Sequence, residues 1–190
     1  MSTLKVDTIL KRTGTGTITI GQSGDTISIP SGATLNSAGT TTLADGQNMA
    51  PSFFGTLSGN QSVANGTTTI VQIDTEVYDQ GSVFDTSTYR FTPGIAGSKF
   101  YIYGQASLSN LTVDKALWVY IYKNGSIFYA ANGGNTQSGV TDTMVNFAVI
   151  DTPNATDYYD MRVYHTDGSS ENLRYDNDET NFGAFRIMGV

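Results

Sequence analysis

The chain has no cysteine. That removes disulfide scaffolds, thiolate-held metals and thiol nucleophiles, so stability beyond one core must come from packing or association of copies. Histidine is nearly as scarce, with His165 alone. A His-centred nucleophilic relay or a zinc site therefore lacks parts, and we expect His165 on a strand surface. Charge is sparse and acidic, with 10 Lys and Arg against 17 Asp and Glu and a net charge of -7. The basic residues are scattered, whereas phosphate contacts need them clustered, so no nucleic-acid partner is expected. No apolar run approaches the ~18–20 residues of a membrane span, which argues against membrane insertion. The opening MSTLKVDTILKR lacks the apolar core of a secretory signal. Phosphate-cradling glycine motifs are missing, and so are the apolar heptads of a coiled coil.

Aromatic residues are absent from the first 52 positions; all eleven Tyr, nine Phe and Trp118 lie from Phe53 onward. We place a boundary near Gly46–Ser52, where DGQNMAPS reads as a connector because Gly and Pro interrupt regular structure. Before it, TGTITIGQSGDTISIPSGATL carries a weak repeat. Ile18 and Ile20 recur as Ile27 and Ile29, and Leu35 and Leu43 continue the series, with Gly or Pro between steps. Short strands at a small fixed period suit fibrous β architecture. Each buried Ile or Leu contributes ~1.5–3 kcal/mol, while ordering each residue costs ~1–2 kcal/mol. A single copy is therefore expected to be disordered. Three copies wound together would bury the six side chains along one seam. The competing reading is a Gly/Ser/Thr-rich linker, which has no need of paired Ile at regular spacing.

The second part reads as all-β. TTTIVQI, SKFYIYGQASL, ALWVYIY, TMVNFAVID, YYDMRVYHT and NFGAFRIMGV alternate or are rich in β-branched and aromatic residues. Lys123-Asn124-Gly125-Ser126 marks a tight hairpin. Short strands separated by turns predict a sandwich or jelly roll.

Little in it suggests catalysis. Asp157 and Asp160 flank Tyr158-Tyr159, but glycoside hydrolysis needs two carboxyls set across a cleft, and acids at a turn are more often solvated. Asp176, Asp178 and Glu179 form the best candidate cation loop, because clustered hard oxygens suit calcium. They lack EF-hand spacing, and we expect neither metal nor cofactor. Loop aromatics can stack on sugars or anchor a protein interface. Tyr158, Tyr159 and Tyr175, with Asn132 and Asn135 of the Gly/Asn-rich stretch 132–139, are the candidate receptor contacts, since variable tips carry binding.

Two resemblances sharpen this. VFDTSTYRFTPGIAG (83–97), FYIYG (100–104), LWVYIYKNG (117–125) and FGAF (182–185) follow, in order and spacing, the motifs of the trimeric jelly-roll family of complement globular heads and tumour necrosis factor. Where that family has Gly before its Phe-x-x-Pro, this chain has Tyr89 or a neighbour. The resemblance implies a ten-stranded jelly roll and a homotrimer. The opening MSTLKVDTILKRTGTGTITI resembles the start of fibre-like virion proteins of marine and cyanobacterial tailed phages. It implies a docking peptide, for which Leu4, Val6, Ile9 and Leu10 supply an apolar set able to enter a partner groove.

The expectation is a non-enzymatic, homotrimeric tail fibre located in the virion. Residues 1–12 dock on phage tail or capsid proteins, 13–48 form an intertwined β shaft and 49–58 a connector. Residues 59–190 form a knob that contacts a host surface glycan or protein. The alternatives are a capsid decoration fibre of the same architecture and a glycan-degrading spike.

Overall fold

A computed structural model describes residues 17, 19–22, 25–34, 50–134 and 142–188. The chain divides into two units, Met1–Thr42 and Leu43–Val190. In the first, the described residues form no strand. They run between two turns, closed by the Asp25 N–H on the Gln22 carbonyl and the Ala33 N–H on the Pro30 carbonyl, both at 3.0 Å. Ile20, Ile27 and Ile29 are 61%, 60% and 49% exposed, so one copy of the chain leaves these seam residues uncovered. Ile18, Leu35 and Leu43, and the docking residues Leu4, Val6, Ile9 and Leu10, lie outside the described residues.

The second unit is a two-sheet β-sandwich. Its strands, in chain order, are β1 (Ser52–Thr56), β2 (Gln61–Val63), β3 (Thr69–Ile70), β4 (Thr75–Gln80), β5 (Phe84–Asp85), β6 (Arg90–Phe91), β7 (Lys99–Ser109), β8 (Ala116–Lys123), β9 (Ser126–Gly134), β10 (Asp142–Asp151), β11 (Tyr159–His165), β12 (Glu171–Leu173) and β13 (Asn181–Met188). The seven-stranded sheet runs β2-β12-β7-β13-β1-β4, with β10 along the other edge of β7; the six-stranded sheet runs β5-β6-β11-β8-β9, with β3 on β11. The described residues thus hold thirteen strands rather than ten. The surplus lies in two- and three-residue pieces (β2, β3, β5, β6, β12), too short to show a period.

Alternation fills the core from both sheets, because successive side chains in a strand point to opposite faces. Phe100, Ile102 and Ala106 of β7 and Phe182 and Ala184 of β13 meet Leu117, Val119 and Ile121 of β8 and Met161 and Val163 of β11, all buried. Phe53 sits at the centre of an aromatic cluster. Its ring stacks on Phe84 at 4.5 Å and Phe91 at 4.9 Å and meets the edge of Phe182 at 5.2 Å. The expected connector at 49–58 is corrected here. β1 pairs with β13 on one side and β4 on the other, so Ser52–Thr56 is an interior strand. Phe53 must be buried, and its side chain drives the segment into the sheet.

Two turns carry the backbone constraints. Asn124 and Gly125 both take positive φ, 52° and 79°, as a two-residue hairpin between β8 and β9 requires. Tyr89 has φ 58°, in the left-handed region that favours glycine. Asp85 anchors that turn. Its Oδ1 accepts from the Ser87 N–H (2.8 Å) and hydroxyl (2.6 Å), and its Oδ2 from the Thr88 hydroxyl (2.9 Å). The Ser87 and Thr88 hydrogen bonds hold its carboxyl at about 2.

Candidate functional site: two aromatic sheet faces

The outward face of the seven-stranded sheet carries an apolar band. Register places Ile150, Tyr101, Phe185 and Ser52 in one row, and Ala148, Tyr103, Gly183, Phe54 and Tyr78 in the next. Tyr101 lies 5.3 Å from Phe185 and 5.8 Å from Tyr103, and Phe54 stacks over Tyr103 at 6.3 Å. A Cβ on Gly183 would lie 2.6 Å from the Tyr103 ring; glycine there lets the ring lie flat across β13. Burial, then the neighbouring Tyr78 hydroxyl, raises the Tyr103 pKa. Met144, Ile150, Ile187 and Tyr78 are exposed. No Asp, Glu, Lys or Arg stands in these two rows. A shallow depression of about 520 Å³ opens between Phe54, Tyr101, Tyr103 and Asn146.

The outward face of the six-stranded sheet is aromatic but polar. Trp118, Tyr120 and Tyr122 of β8 lie opposite Tyr164, Arg162 and Asp160 of β11. Trp118 meets Tyr164 edge to face at 5.5 Å. The Arg162 guanidinium sits 4.0 Å above Tyr122, and Arg90 sits 4.1 Å above Tyr158. Stacked guanidinium–ring pairs of this kind combine cation–π attraction with flat, hydrogen-bonding edges. Burial, then its neighbours Tyr122 and Tyr164, raises the Tyr120 pKa.

The candidate receptor contacts do not form one patch. Asn132 is exposed opposite Trp118, while Tyr158 packs beside the hairpin, where its N–H donates to Asn124 Oδ1 at 3.0 Å. Six residue steps, from Trp118 to Asn124, separate the two levels, ~20 Å. Tyr175 is exposed just before the short 3₁₀ turn Asp176–Asp178, and Asn135 lies outside the described residues. Tyr159 is a correction: it is fully buried. It begins β11 in phase with Met161 and Val163, and its hydroxyl donates to Asp151 at 2.5 Å. Burial, then that hydrogen bond, raises its pKa. The same phase buries His165, expected on the surface, with Nε2 3.2 Å from the Val63 carbonyl.

The acidic candidates are committed elsewhere. Asp160 is fully buried and paired with Arg162. Asp157 accepts from the Asn124 amide (2.7 Å), the Asn154 N–H (2.8 Å) and Lys123, 3.0 Å away. Those three contacts, Asn124 first, hold its carboxyl at about 2. Asp176 and Glu179 lie 3.3 and 3.4 Å from the Arg174 guanidinium, which also pairs with Asp142. Asp178 stands apart from this network, and among the described residues no three carboxylate or imidazole groups converge as a metal site would need.

No protein-family model matches the chain, and no curated protein matches it in sequence. Solved structures do match in fold. The globular domain of zebrafish complement 1qA aligns with TM-score 0.56 at 16% identity, over 74% of this chain and 98% of that one. Eiger TNF from S. frugiperda aligns with TM-score 0.54 at 10% identity, over 73% and 92%. Murine APRIL aligns with TM-score 0.54 at 12% identity, over 71% and 97%. The sandwich of this chain is a jelly roll of the complement-C1q and tumour-necrosis-factor type.

Proposed function

We propose that the chain is a self-assembling attachment protein, a homotrimeric virion fibre. In this reading, the seven-stranded face packs against other copies, and the six-stranded face and its loops meet the host surface. The observation that carries it is the contrast between the two faces. Tyr101, Tyr103, Phe185, Phe54 and Ile150 form a charge-free aromatic surface of the kind that marks a protein interface. Trp118, Tyr120, Tyr122, Arg162 and Tyr158 mix rings with hydrogen-bonding groups, as a surface for sugars or polar protein loops does. A threefold assembly also supplies the neighbours that Ile20, Ile27 and Ile29 lack in one copy. The virion setting rests on the resemblance of residues 1–20 to phage fibre openings. It places residues 1–12 on the particle, by tail or capsid attachment.

Mass photometry of the full chain at micromolar concentration tests assembly. A trimer is expected, and Phe185→Glu, which puts a charge between Tyr101 and Tyr103, is expected to give folded monomers. A wild-type monomer overturns the reading. Deleting residues 1–12 is expected to leave the trimer intact and abolish its incorporation into particles.

A further inference from the structure

Among the described residues Arg186 is the largest fully buried side chain, 2% exposed. It follows Phe182 and Ala184 in the inward phase of β13, at the level where β1 begins. Its Nη1 donates to the Ala50 carbonyl at 3.4 Å. Among the described residues its Nε and Nη2 are buried without an acceptor, and it has no ion pair. A guanidinium stays charged at any ordinary pH, so burying one without an anion is strongly unfavourable. Asp79, the residue before Gln80 on β4, is no counter-ion. Its two oxygens are taken by the Val83 and Phe84 N–H groups, each at 3.0 Å.

Arg186 lines a cleft of about 480 Å³, within the size range of small-molecule sites. Pro51, Val83 and Pro93 give it apolar walls, and Gln80, Ser82 and Thr92 give it neutral hydrogen-bonding groups. Among the described residues no acidic side chain lines it. We infer that this cleft binds a small organic anion through a carboxylate that takes the open guanidinium nitrogens of Arg186. Nε and Nη2 stand side by side on the guanidinium, the fork that matches a carboxylate. The carboxylate's source is either a free acid or an acidic sugar of a surface glycan. The cleft's volume exceeds what a bare carboxylate fills, and Gln80, Ser82 and Thr92 offer partners for sugar hydroxyls. Gln80 also continues the row of Ser52 and Phe185, so the cleft borders the assembly face, but acid binding and oligomeric mass are separate readouts and failure of one leaves the other reading standing.

The test is calorimetric titration and thermal melting of the full chain at constant ionic strength, with acetate, glucuronate and glucose as probes. Saturable binding of glucuronate and acetate, with no response to glucose, is expected. Glucuronate binding at least about tenfold tighter than acetate points to an acidic sugar, and equal affinity to a free acid. Arg186→Met keeps the length and removes the charge, and it is expected to abolish the response. Thr92→Trp, at an exposed position on the cleft wall, is expected to leave the unligated melt unchanged and weaken binding about 10- to 100-fold. Absence of any wild-type response up to about 10 mM of either acid overturns the inference. So does unchanged binding in Arg186→Met or Thr92→Trp. Loss of the trimer in Arg186→Met without any acid response assigns the counter-ion to a neighbouring copy instead.

Discussion

Phe53 and Phe54 are adjacent, yet the structure gives them opposite tasks. Phe53 is fully buried against Phe84, Phe91 and Phe182, whereas Phe54 lies on the outward face, stacked over Tyr103 at 6.3 Å. Phe53→Ala removes a ring from a close-packed cluster and leaves a cavity at the centre of the sandwich. Such truncations cost about 3–5 kcal/mol. In a chain of this size that lowers the melting temperature by about 6–20 °C. Phe54→Ala removes a ring that is half-exposed in the single subunit, at a cost of about 1 kcal/mol there, but it takes out part of the proposed copy-to-copy surface. Urea melts followed by the fluorescence of Trp118, which lies on the other sheet, measure the first effect. Mass photometry measures the second. The Phe53 variant is expected to assemble whenever it is folded, and the Phe54 variant to stay folded and assemble poorly. Equal loss of subunit stability in both variants would refute the phase assigned to β1, and with it the placement of this segment inside the sheet.

Two further outcomes follow from the same geometry. A Cβ on Gly104 would lie 2.6 Å from the Asn181 carbonyl oxygen and 3.0 Å from the Phe147 ring; Gly104→Ala is therefore expected to destabilise the sandwich by about 1–3 kcal/mol in urea melts, and an unchanged midpoint would contradict the packing. The Asp157 carboxyl is held at about 2 against an ordinary 3.8, so its contribution is present above about pH 4 and is lost as pH falls toward 2. Asp157→Asn is expected to melt lower than the wild type at neutral pH and to lose less between pH 4 and 2. Parallel pH profiles for the two proteins would rule out that role.

Much of the sandwich was legible because its long strands alternate cleanly. β7, β8 and β10 show core and surface sides in the sequence alone, and Lys123-Asn124-Gly125 announces its hairpin. Asn124 also turned out to clasp the segment before β11, with its backbone N–H on the Tyr158 carbonyl at 3.0 Å. That tertiary role has no local signature. Tyr159 and His165 were misplaced because polar-tipped residues were read one at a time. Their phase with Met161 and Val163 was the available signal. The phase of Phe182, Ala184 and Arg186 likewise pointed the arginine inward, but a cation in an apolar series reads as an outward residue until its neighbours are seen. β1 was missed because five residues after a proline carry too little period, and its burial depends on strands at the far end of the chain.

The pairing of β1 with β13 also sets a timetable. The first strand of the sandwich to leave the ribosome has the last strand as its neighbour, and the interior of the seven-stranded sheet closes only when that last strand arrives. Until then Phe53 and the facing rings of Phe84 and Phe91 lack the edge of Phe182. Pairings this distant in sequence give slow folding, on the order of milliseconds to seconds. The aromatic rows built on β7, β13 and β1 therefore form only once β13 has been synthesised.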